Sequence, residues 1–225
     1  MRKNRFWVAL VSVMTAVAAI AASMVGAAAA DSTVFTAAEP AFVGGEQLEP
    51  GSAILAFEAG STVSCEFGGV GGEMTEATSE LNVGPGFGGC SAFGFAEGSF
   101  EANGCAFVLH PGSGSGDEFT GSFDIACPAG EKIVVKGGNC EVQIGSQTGL
   151  GPVSYDEVTA GEPAPYVEAG FEMEAASGFT YTKTLDGASC PLSGTGTKTD
   201  GVFGNGLNIR AESIEKQEPI AFGIE

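Results

Sequence analysis

The chain reads as an all-β protein: a single β-sandwich-like or barrel-like domain of many short antiparallel strands, stapled by disulfides, after an N-terminal signal peptide. Three observations predict this. Apolar and polar residues alternate with a period of two along many short segments, glycine-rich turns separate those segments, and beyond residue 30 no apolar run keeps helical spacing. Six cysteines remain after that point, and an even count in an exported chain reads as three disulfides.

The first element is the leader, residues 1–30. Arg2, Lys3 and Arg5 form a basic start, residues 6–25 are almost wholly apolar, and Ala28 and Ala30 stand where a signal peptidase needs small side chains. An uncleaved anchor is the alternative, because an apolar run of this length just spans a bilayer. Residues 31–50, with Pro40 and Pro50 and few alternations, read as a flexible lead-in. Residues 51–225 read as the β-rich domain. Within it, strands are expected at 53–57, 62–67, 75–83 and 93–100, with the glycine cluster Gly68–Gly72 and the glycine-rich run Pro85–Gly89 as breaks between them. Further strands are expected at 132–136, 140–144 and 152–158. Residues 166–175 and 179–184 read as a second hairpin, and 193–199, 206–211 and 220–224 finish the chain. The loop 159–165 carries two prolines and offers a boundary between two small units, but one continuous domain is the preferred reading.

Residues 105–127 are the most informative stretch. Cys105, Phe107 and Leu109 alternate on one arm; Phe123, Ile125 and Cys127 alternate on the other. Folding the arms about 115–116 sets Cys105 against Cys127, Phe107 against Ile125 and Leu109 against Phe123. Directly opposed residues in an antiparallel pair are about 4.5–5.5 Å apart at Cα, within disulfide reach. The last strands carry only Cys190 and need an upstream partner, which favours Cys140–Cys190 and leaves Cys65–Cys90; this is one of 15 connectivities open to six cysteines.

The same register places His110, the only histidine, opposite Ser122 with Asp124 diagonally beyond. In a Ser–His–Asp triad the acid orients one ring nitrogen while the other takes the serine proton. Here serine and aspartate approach the imidazole from nearly the same side, and no G-x-S-x-G elbow or oxyanion donor accompanies them. A polar outer face is the preferred reading, and no residue is assigned a catalytic, cofactor or metal role.

The runs "NGCAFVLH", "IACPAGEKI", "CEVQI", "SQTGL", "VSYDEV" and "SGTGT", with "GCSAFGF" at 89–95, resemble a group of uncharacterised secreted β-rich proteins of high-GC actinobacteria. The likeness covers residues 65–158 and is looser beyond. It implies secretion and a shared cysteine frame, and brings no activity or substrate.

Charge narrows the partners. The formal net charge is −19, and loss of the leader takes it to −22, a field that repels nucleic acid and anionic lipid headgroups. The mature form is expected to have no membrane span, and a cell-envelope or extracellular ligand is the open class of partner. The 200–206 segment, DGVFGNG, resembles part of a calcium loop but lacks its spaced carboxylates, and Asp117 and Glu118 at the hairpin tip supply only two more. Paired carboxylates for glycoside hydrolysis are not singled out among so many glutamates. The expectation is therefore a secreted or cell-surface structural or binding module, without cofactor. The alternatives are an extracellular hydrolase using paired carboxylates or the His110 face, and a calcium-dependent adhesion module.

Overall fold

Alternation governs the strands that form. In a computed structural model describing residues 33–159, 164–171, 173, 178–186, 190–204 and 206–225, the chain is all-β, with a single 3-10 turn at Glu58–Gly60. The expected leader, residues 1–30, lies outside the described residues. The strands begin with β1 (Phe35–Ala37), β2 (Ala41–Gln47), β3 (Ala53–Ala56), β4 (Thr62–Met74) and β5 (Leu81–Ala92). Next come β6 (Phe95–Glu101), β7 (Ala106–His110), β8 (Gly114–Ser115) and β9 (Glu118–Ala126). Then follow β10 (Ile133–Gly137), β11 (Cys140–Ile144), β12 (Gln147–Val158), β13 (Tyr166–Phe171) and β14 (Phe179–Asp186). The chain ends with β15 (Gly196–Phe203), β16 (Gly206–Ser213), β17 (Pro219–Ile220) and β18 (Phe222–Ile224).

Eight strands close into an antiparallel barrel in the order β2–β4–β5–β7–β9–β12–β13–β16, with β16 pairing back onto β2. The outer strands β3, β15, β14, β11, β10 and β6 run in that order from β4 round to β5, so a second circuit shares the β4–β5 ribbon. Consecutive strands such as β2 and β3, β6 and β7, or β13 and β14 lie one in each circuit. Closure leaves the barrel without an open edge along which another chain could pair.

The interior is aromatic. Phe107, Phe123, Phe171 and Phe203 pack together, with Phe171 and Phe203 centroids 4.8 Å apart. In the second circuit Phe57 contacts Phe93, Phe179 and Tyr181, the last at 4.8 Å. Phe35 of β1 lies against Tyr155 and Phe222, where β1 and β18 form their own ribbon. Outward positions on the barrel carry Glu46, Glu73, Asn82, Arg210 and Glu212.

The expected hairpin register holds: Phe107 faces Ile125, Leu109 faces Phe123 and His110 faces Ser122. The disulfides join Cys105 to Cys127, Cys65 to Cys90 and Cys140 to Cys190. The described residues form one compact unit, and residues 160–163 of the expected 159–165 loop lie outside them.

Three expectations are corrected. Of the expected flexible lead-in 31–50, the described part, 33–50, is built into the fold: β2 lies between β4 and β16 and closes the barrel, its Ala41, Val43 and Gln47 turned inward. The glycine clusters are not breaks but the middle of the longest pair, Gly71 facing Gly84 and Gly69 facing Gly86, while 75–80 is the hairpin connection. Glycine is required there by crowding: a Cβ on Gly69 would lie 2.0 Å from the Gly45 carbonyl oxygen, and one on Gly72 2.2 Å from that of Asn82. The crowding accompanies a change of face, since Val63 and Cys65 are buried at odd positions of β4 but Val70 and Met74 at even ones. Finally, β13 and β14 do not pair with each other. Each takes partners from the flanking legs, β12 and β16 for β13, β11 and β15 for β14.

Candidate functional site

Two places on the outer surface bring chemistry-bearing side chains together, and a third is a groove. The first is the His110 face. His110 Nε2 lies 3.2 Å from Asp124 Oδ2, and the other oxygen, Asp124 Oδ1, accepts the Gly149 backbone N–H at 2.7 Å. Ser122 faces His110 across the ladder, and its carbonyl oxygen accepts the buried Tyr155 hydroxyl at 3.2 Å. Burial pushes the Tyr155 phenol far above its ordinary value, so it stays a neutral donor. Asp124 is thus occupied in joining β9 to β12, and none of His110, Ser122 and Asp124 lines the groove described below.

Sequence reasoning missed the second place. Glu58 accepts the Ser193 backbone N–H at 2.6 Å and the Ser193 hydroxyl at 2.9 Å, and Lys198 Nζ lies 3.4 Å from Glu58 and 3.3 Å from Ser193 Oγ. A lysine activates a serine only when neutral. Burial raises the Glu58 carboxyl, but the hydrogen bonds from Ser193 and Lys198 and the lysine charge outweigh it, so the group sits below the ordinary 4.5. Lys198 is engaged by that carboxylate, and the cluster ties the 190–195 segment to the 3-10 turn. The Cys140–Cys190 disulfide anchors the same segment.

The third place is a groove of about 840 Å³ on the outer face of β16, β2 and β4. Barrel register orders the strands beneath and beside it in rows, with Glu73 and Gly69 just beyond the lining residues. Glu212, Phe42 and Glu73 face one another across three strands; then Arg210, Gly44 and Gly71; then Asn208, Glu46 and Gly69. Phe42 is 45% exposed, the Arg210 guanidinium stacks 3.9 Å above the Tyr166 ring, and Pro165 and Ile220 wall one side. The Asn208 Oδ1 is buried without a hydrogen-bond partner. The signal for this site was the alternation of AFVGGEQ, which puts Phe42, Gly44 and Glu46 outward together.

Asp200, from the calcium-like segment, belongs to β15 and accepts the Tyr181 hydroxyl at 3.0 Å, while Asn205 lies outside the described residues. Asp117 and Glu118 stand at the hairpin tip, where the Asp117 carbonyl oxygen accepts the Glu157 N–H. Among the described residues no group of three or more His, Cys, Asp or Glu side chains is placed to hold a metal ion. No protein-family model, curated protein or solved structure matches this chain.

Proposed function

We propose that this chain is an exported, non-catalytic β-barrel that acts by binding, with the groove over β16, β2 and β4 as its contact face. The groove itself carries the reading. It is a hollow of about 840 Å³, within the range of ligand sites, with an exposed aromatic ring and an unpaired amide oxygen. The only histidine stands elsewhere, beside an aspartate already committed to a backbone N–H.

Export is supported by the three disulfides, which persist in oxidising compartments. Among the described residues no helix is long and apolar enough to cross a membrane. The barrel also turns apolar rows inward and charged residues outward, the reverse of a lipid-facing barrel.

The test is an array of oligosaccharides and peptides, followed by hydrogen-exchange footprinting of each ligand that binds. Protection confined to β2, β4 and β16 is the expected result. A footprint on β7 and β9, or turnover of an array member that His110→Ala abolishes, would replace this reading with the hydrolase.

A further inference from the structure

We infer that the groove receives an extended, basic polypeptide segment, one cationic side chain lying over Phe42 between Glu73 and Glu212 and a second beside Glu46. This rests on the binding reading above and names its ligand class.

The floor is bare where the chain itself does not require it. Gly44 and Gly71 open outward side by side on β2 and β4, at ordinary φ, and a Cβ on either would meet nothing closer than 4.0 Å. Glycine weakens a strand interior, and an unforced glycine there marks close approach by a ligand or another backbone. Gly69 and Gly72, crowded by their neighbours, make the contrast.

The rim selects charge. An aromatic ring attracts a cation over its face, and Phe42 has a carboxylate directly across the ladder on each side, Glu212 on β16 and Glu73 on β4. Glu46 lies four residues along β2 on the same outer face, a distance of about 13 Å at the rise of a strand. An extended guest repeats side chains on one face at that same pitch, so its residues i and i+4 reach both positions. The cation already in the groove, Arg210, is held over Tyr166. A second copy of this chain, nucleic acid or an anionic membrane would meet the repulsion of a −19 protein.

The probe is a short β-prone peptide with lysines four residues apart, compared by calorimetry with its glutamate counterpart and with an uncharged glucose oligosaccharide. The lysine peptide is expected to bind and the glutamate peptide not. Phe42→Ala and Glu73→Gln are each expected to weaken binding about tenfold. Gly71→Val is expected to abolish binding while raising Tm, because a β-branched side chain enters open space on a strand. Lysine-peptide binding that survives Gly71→Val unchanged would be diffuse attraction to an acidic surface and would overturn the inference. Failure of the lysine peptide beside an oligosaccharide that protects β2 would overturn it and leave the groove reading standing. Ligands that bind only elsewhere would remove both.

Discussion

Asp124 serves two groups at once, and the two can be separated by mutation. Asp124→Ala removes a charge-assisted bond to the Gly149 N–H and should cost about 1–2 kcal/mol in urea denaturation. His110→Ala leaves that bond in place and should cost under about 1 kcal/mol. The opposite order would mean that the histidine does more than rest against the sheet. Glu58 gives a pH signature at the same scale. Its folded value lies below the ordinary 4.5, so the stability it contributes is complete at neutral pH and lost as pH falls through the folded value. Glu58→Gln should therefore lower stability by about 1 kcal/mol at pH 7, with the gap to wild type closing under acid. Measuring Tm of both proteins across that range checks the sign: a gap that widens on acidification would contradict the assignment.

Among elements, the β4–β5 ribbon makes the most specific demand on sequence. Gly72→Ala pushes a methyl group into the Asn82 carbonyl and should destabilise by about 1–3 kcal/mol, whereas Gly86→Ala enters open space and should be neutral or stabilising. Thermal unfolding of the two variants, one strand apart, tests whether the glycines are turn formers or strand centres. The ribbon also marks where the sequence stopped being readable. The 105–127 hairpin was legible because both arms alternate, their connection is short and a cysteine pair closes the register. In β4 and β5 the buried face changes parity, so period-two counting dissolved into apparent turns. β2 hid behind Pro40 and two glycines, with its partners β4 and β16 far apart along the chain. β13 and β14 looked like a hairpin because they are neighbours in sequence, but closure of two circuits sets β13 between β12 and the remote β16, and β14 between β15 and the remote β11, which periodicity cannot name. The groove was lost with β2, since its floor exists only once Phe42, Gly44 and Glu46 lie beside β16.

At the level of the whole molecule, covalent staples and closure act together. The Cys105–Cys127 bridge spans 22 residues, and chain-entropy arguments give its loss a cost of about 3 kcal/mol. Cys105→Ala/Cys127→Ala should show that drop by denaturant titration, and reduction of all three bridges should threaten a net stability of about 5–15 kcal/mol. Fold and function meet in β2, which both shuts the barrel between β4 and β16 and paves the groove. Native-state hydrogen exchange on residues 41–47 is the most direct measurement. These amides should be protected to the level of β4 and β16, opening only with global unfolding; exchange at the rate of an unstructured tail would leave the barrel open and the groove without a floor.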